Sequence, residues 1–165
     1  MMLPERAHLA ALRNGKPERA LEVGKAAEHL VCADLIMSGY RAFLSDQGTA
    51  YDVVMEDHGR LLRVQVKGTT KYRSVPNRPG SAPSYLFHVR RAGNGSKRLI
   101  RPDEFDILAL VALDIRQVAY LSLSEKILQT IHLRAPGSPK NHANKSRLNV
   151  DEYPIRSALN DHFNR

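Results

Sequence analysis

Apolar and polar positions along the chain change their period several times, and each change marks an element. Pro17 suits the first turn of a helix. After it, Val23, Ala27, Leu30, Val31 and Leu35 recur at intervals of three and four residues. That spacing predicts an amphipathic helix, and Gly39 is placed to stop it. A shorter helix is expected from about Pro4 to Arg13, closed by Asn14-Gly15. Beyond Gly39 the period falls to two. YRAFL reads as a strand, SDQGTA as a polar loop, and YDVVME with LLRVQVK as a hairpin turning around Asp57–Arg60. The stretch from Tyr72 to Ser84 is a Pro/Gly/Ser loop, followed by a strand at YLFHVRR and a turn at AGNGS. DILALVAL and VAYLSL read as two buried strands joined across Asp114 to Gln117. After Leu133 the chain becomes polar and loop-like, and a short helix is expected after Pro154. One helix beside a mostly antiparallel sheet, with smaller helices around it, gives an α/β (α+β) domain. Residues 1–133 are expected to form the core unit and 134–165 a C-terminal loop and short helix.

With 165 residues the chain fits one domain with a real core. No run of about eighteen apolar residues is present, so no membrane span and no membrane partner are expected. The first twenty residues lack the continuous apolar core of a secretory signal. The single cysteine, Cys32, excludes an intramolecular disulfide framework and a cysteine-rich zinc site. These features suit a cytoplasmic, intracellular protein. The formal net charge of +8 concerns partners rather than fold. Every charged residue from Arg60 to Arg101 is basic. A solvated face normally mixes signs, so this single-sign stretch points to a polyanion, and phosphate backbones are the commonest. Lys71, Arg73, Arg78, Arg90 and Arg91 are the candidate phosphate contacts. Such contacts give salt-sensitive affinity without reading sequence.

The hairpin carries the chemistry. With a two- or four-residue loop around His58-Gly59, Val53 faces Val64, Met55 faces Leu62 and Asp52 faces Gln65. One face then holds Tyr51, Val53, Met55, Leu62, Val64 and Val66, all apolar. The other holds Asp52, Val54, Glu56, Leu61, Arg63, Gln65 and Lys67. Opposed Cβ atoms lie about 5 Å apart, so Asp52 and Gln65 oxygens can share one ion. A three-residue loop would slip the register and scatter them. A hard cation such as Mg²⁺ takes oxygen ligands: the Asp52 carboxylate, the Gln65 carboxamide and a nearby backbone carbonyl, that of Val66. Lys67, one step along the same face, can meet charge building on a phosphoryl group. On the helix, Glu28 falls at the margin of the apolar stripe, where a carboxylate needs a partner. Asp34 intrudes on the same stripe with no place in this scheme.

GKAAEHL, GY, YDVV and RVQVKGTT, in that order, resemble the PD-(D/E)XK nuclease superfamily. The likeness is to the branch of Holliday-junction resolvases and a group I intron homing endonuclease with glutamine in the third position. It spans about Leu21 to Leu123. The resemblance implies a restriction-endonuclease-like core: a mixed central β-sheet with an N-terminal helix and flanking helices. It makes Asp52 the metal aspartate, Gln65 the occupant of the Asp/Glu position, Lys67 the catalytic lysine and Glu28 the helix acid near the metal. It implies an Mg²⁺-dependent DNA endonuclease, with Mn²⁺ as a substitute ion. A homodimer or higher oligomer then supplies two active sites. Tyr51 stands where the family name has proline. Gln65 removes one negative charge, which weakens metal binding or favours one ion over two. It leaves open a second reading, a non-catalytic nucleic-acid-binding protein with a degenerate nuclease fold. A third reading is a small basic domain with an Asp52–Lys67 surface salt bridge. The glycines before Lys25 lack P-loop spacing, and His142, His88 and Cys32 read as ordinary structural or surface residues.

Overall fold

The computed structural model describes residues 17–46, 48–73, 83–90, 100–101, 103–123, 128–138 and 149–164. The helix expected at Pro4–Arg13, most of the loop after Tyr72 and the AGNGS turn lie outside them. In chain order the elements are α1 (Pro17–Met37), β1 (Arg41–Leu44), β2 (Val53–Asp57), β3 (Arg60–Thr69) and β4 (Ser84–His88). Then follow β5 (Ile107–Ala112), β6 (Gln117–Ser122), β7 (Thr130–Arg134), a 3₁₀ turn (Val150–Glu152) and α2 (Ile155–Phe163).

Helix α1 forms where the three-and-four spacing placed it. It buries Ala27, Val31 and Leu35 fully, with Leu30 packed at the margin. It ends in a Schellman motif. The Tyr40 N–H donates to the Leu35 carbonyl at 3.1 Å and the Gly39 N–H to that of Ile36 at 3.0 Å. Gly39 supplies the required left-handed backbone at φ +94°. The chain thereby reverses into β1.

The β2–β3 hairpin closes through a two-residue turn. His58 (φ 49°) and Gly59 (φ 79°) are both left-handed, the signature of a type I′ turn whose twist matches the strands. Val53 pairs with Val64 and Met55 with Leu62, the register expected from sequence. Tyr51 departs from the expected face. The chain bends at Asp52 before entering β2, and Tyr51 packs with the other core instead.

The main sheet is five-stranded and mixed, in the order β1-β2-β3-β5-β6. Only β3 and β5 run parallel in it; the other three pairings are antiparallel. Alternation along β5 divides the interior in two. Ile107, Ala109 and Val111 join α1 and the α2 residues Ile155, Ala158 and Leu159 in one core. Leu108, Leu110 and Ala112 join β4 and β7 in another. Covered on both faces, β5 is buried throughout, as a continuous apolar run requires. The antiparallel β4–β7 pair forms a second sheet. Strand β7 was not evident in the sequence, because only Ile131 and Leu133 give TIHLR a pattern. Among the described residues no helix is long and apolar enough to cross a membrane.

Two contacts fix β3 in this frame. Arg63 donates from Nε and Nη2 to the two carboxylate oxygens of Asp106 at 3.1 and 3.0 Å, and its backbone N–H adds a bond at 2.7 Å. The Asp106 N–H returns one to the Arg63 carbonyl at 2.9 Å. This pair pins the entry to β5 and so the parallel register. On the other side, Gly68 lets α1 approach closely: a Cβ there would lie 2.8 Å from the Ala27 Cβ.

Burial pushes the Asp106 carboxyl up, but the Arg63 side chain and backbone N–H outweigh it and hold the group below its ordinary value. A depressed carboxylate stabilises the fold fully above its unfolded pKa, and that contribution fades as pH falls through the folded one. Asp106→Ala is expected to cost about 1–2 kcal/mol at neutral pH, discounted for the half-exposed guanidinium. Melting curves from pH 7 to pH 3 should converge with wild type at the acid end. Gly68→Ala is expected to cost about 1–3 kcal/mol by overpacking against Ala27, measured by denaturant unfolding.

Candidate active site

Asp52 is anchored by its backbone. Its N–H donates to the Val64 carbonyl and its carbonyl accepts from the Ser45 N–H, both at 2.9 Å. It sits just beyond the last β1–β2 pair, Leu44 with Val53, where the ladder alongside β3 runs out. The Val66 N–H, turned towards that gap, would lack a strand partner. The Asp52 carboxylate takes its place: Oδ2 accepts from the Val66 N–H at 2.7 Å and also from Gln65 Nε2. Gln65 Nε2 makes a longer contact of 3.3 Å to the Val66 carbonyl. The sequence-predicted trio of Asp52, Gln65 and Val66 therefore meets at one point.

Gln65 is 8% exposed and projects, with Lys67, from the side of β3 opposite α1. Glu28 approaches Asp52 from the helix side. The sheet margin lets groups from both faces act on one carboxylate. Burial raises the Asp52 carboxyl above its ordinary value, while the Val66 N–H and the Lys67 charge pull the other way. Burial also raises Glu28, and the Asp52 charge adds to it; His29, Lys25 and Lys67 oppose the rise. Asp34, the other acid on the stripe, is occupied elsewhere, accepting a 2.6 Å bond from the Tyr120 hydroxyl.

A cavity of about 300 Å³ lies between α1 and the loop leading to Asp52. Glu28 and Asp52 form part of its wall with Lys25, Ser45, Asp46 and Thr49, but Gln65 and Lys67 do not line it. Ser45 Oγ and Thr49 Oγ1 each donate to the Tyr51 carbonyl at 2.6 Å and lie 2.8 Å apart. They brace the loop that presents Asp52. Neither stood out in the sequence, where they are only a pair of hydroxyl residues in a short polar loop, and Lys25 drew notice only in a phosphate-loop pattern whose spacing fails.

The oxygens at this point suit a hard cation. The alternative orientation of the Gln65 amide would set Oε1 against Asp52 Oδ2. Such an oxygen pair is favourable only with a cation between them. Among the described residues, no three His, Cys, Asp or Glu side chains form a metal-holding group, so an ion here would depend on the carboxamide and backbone for further ligands.

The candidate phosphate contacts are dispersed. Lys71 and Arg73 are exposed, and the Arg73 backbone bridges Ser84 at the start of β4. Arg90, beyond the other end of β4, donates to Gln129 Oε1 at 2.7 Å. Arg78, Arg91 and His142 lie outside the described residues. His88 is exposed, and burial raises the half-buried Cys32 thiol.

The family model described as PD-(D/E)XK endonuclease matches residues 20–155. A comparison with curated proteins gives no match. Among solved structures, a bacterial homing endonuclease, I-Ssp6803I, is similar with a TM-score of 0.58 at 16% identity. The match covers 88% of this chain and 93% of that one. At this identity the likeness is one of fold.

A raised carboxyl binds its proton more readily in the folded than in the unfolded chain. Stability therefore falls as pH rises from the unfolded value near 3.8 through the folded one, and the cost is complete above it. Asp52→Asn removes that cost while its Oδ1 still accepts from Val66 and Gln65. In chelator at pH 7 the variant is expected to melt above wild type, by about 2–4 °C per kcal/mol relieved. The difference should vanish below pH 4 in the same scanning calorimetry.

Proposed function

The chain belongs to the PD-(D/E)XK endonuclease family, and on that footing we propose that it is a divalent-metal-dependent endonuclease that hydrolyses phosphodiester bonds in DNA. The observation that carries this reading is the meeting of Asp52, Gln65 and Val66 beyond the last β1–β2 pair, under the charges of Lys67 and Glu28. Asp52, the Gln65 carboxamide oxygen and the Val66 carbonyl would hold Mg²⁺, or Mn²⁺ in its stead, with Glu28 in support. The bound ion supplies Lewis acidity and a more acidic water at the phosphate.

The chain's own residues do the rest. Asp52 keeps its place through its backbone bonds and the Val66 N–H. Lys67 faces the phosphoryl oxygens, where its ammonium favours the charge that builds as the nucleophile adds. Glu28 orients water or ion from the helix side. Lys71, Arg73 and Arg90, with Arg78 and Arg91, hold the flanking backbone by charge alone. Cutting both strands of a duplex, or two arms of a junction, calls for two such sites, which a homodimer or higher oligomer provides.

One observation favours the rival reading, a nucleic-acid-binding protein without catalysis. Gln65, a neutral carboxamide, stands beside Asp52 where the family pattern has an acid, which leaves the site one negative charge short for an ion. Incubation with plasmid, linear and branched DNA in Mg²⁺ or Mn²⁺ separates the two. Wild type is expected to cut at least one substrate, chelator to stop it, and Asp52→Ala or Lys67→Ala to slow it by about 10²–10³. Binding without cutting of any substrate establishes the rival. Cutting that survives both substitutions places the chemistry elsewhere.

A further inference from the structure

We infer that the exposed ring of Tyr72 is a stacking platform for an unpaired nucleobase near the point of cleavage, so that the DNA this chain takes is locally unstacked. The inference rests on the reading above that DNA is the substrate, and it names the form of that DNA.

Tyr72 follows β3, five residues beyond Lys67, and stands between two exposed cations, Lys71 and Arg73. A ring that served only the core would be buried, yet 53% of Tyr72 is exposed. The backbone that carries it is nonetheless held on both sides. The Leu113 N–H donates to the Thr69 carbonyl at 2.9 Å, and Thr69 Oγ1 donates to the Lys71 carbonyl at 3.3 Å. Beyond the ring, Arg73 and Ser84 exchange backbone bonds at 2.8 and 3.1 Å.

The ring itself is braced from the protein side. It meets Tyr85 edge to face, with centroids 6.1 Å apart and planes at 89°. Tyr85 is buried in β4, and its hydroxyl donates to Asp114 Oδ2 at 3.0 Å, in the turn between β5 and β6. A T-shaped contact covers at most one face of either ring, so Tyr72 keeps a face for another π system. Tyr85 shares its core with Leu108 and Leu110, the β5 partners of Gln65 and Lys67. The platform therefore lies on the side of β3 from which Lys67 projects. At most about 18 Å of extended backbone separates the two residues, the span of about five stacked nucleotides.

Every base has a π face, and a ring already fixed in place meets it with little ordering cost. In a paired duplex those faces are taken by neighbouring base pairs. A side chain reaches one only where a base is unpaired or turned out of the stack. Lys71 and Arg73, on either side of the ring, neutralise the phosphates that flank such a base. Ring and cations together favour single-stranded or bulged positions through stacking, without reading their sequence.

The test compares wild type, Tyr72→Phe and Tyr72→Leu on two DNA probes in Ca²⁺: a fully paired duplex and the same duplex with a short thymine bulge. Wild type is expected to bind the bulged probe more tightly. Tyr72→Leu should lose about tenfold in affinity for the bulged probe while its affinity for the paired one stays within about twofold. Tyr72→Phe keeps the ring and should keep the wild-type preference. With 5-iodouracil in the bulge, irradiation should cross-link the DNA to Tyr72 of wild type, mapped by mass spectrometry, a readout that needs no variant to fold. The inference is overturned if wild type shows no preference for the bulge, if Tyr72→Leu loses neither probe or both equally, or if the cross-link falls on other residues. Cutting of DNA in Mg²⁺ without that preference defeats this inference alone. A bulged probe that binds and cross-links at Tyr72 but is never cut defeats the nuclease reading and leaves the platform standing. Failure to bind either probe defeats both.

Discussion

A half-buried carboxylate at a point where strand pairing runs out is the interaction on which this architecture turns. Asp52 replaces a missing strand by accepting the Val66 N–H, and it does so at an electrostatic cost that burial imposes. A carboxylate in such a position is tolerated only if donors reach it. The Gln65 amide and the Lys67 charge answer that need from one side of β3. On the helix side, the Asp52 charge in turn adds to the rise that burial imposes on Glu28. Carboxyls raised by burial and gathered at one point are a pattern that functional sites commonly share with structural networks.

The surrounding fold supplies rigidity to this margin of the sheet. Two cores grip β5 from opposite faces, and β3 lies beside it in parallel. The Arg63–Asp106 fork fixes how far along β5 that strand sits. Gly68 brings α1 against β3 one residue beyond Lys67. Helix acid and strand lysine are thus referred to the same piece of backbone, and neither depends on a loop for its position.

Local signals in the sequence carried most of this. The α1 stripe, its glycine stop and the hairpin register were legible because each depends on residues close in the chain. The register brought Asp52 near Gln65, although the ladder itself ends at Val53–Val64 and the two residues meet through their side chains at the bend. The parallel β3–β5 pairing was hidden, since nothing between Thr69 and Ile107 states which strand β5 will join. Strand β7 was hidden for a similar reason: TIHLR becomes a strand only because β4 is there to pair with it. The displacement of Tyr51 and the bracing of Tyr51 by Ser45 and Thr49 follow from the bend at Asp52, which no periodicity announces.

Chain order adds one more consequence. Helix, reversal, edge strand and hairpin follow one another from Pro17 to Thr69 without interruption, so all four candidate side chains are encoded within a single short stretch. Everything downstream serves as buttress and periphery. The later strands and α2 hold this stretch through the cores they share with it, so the candidate side chains keep their relative placement without help from any later loop.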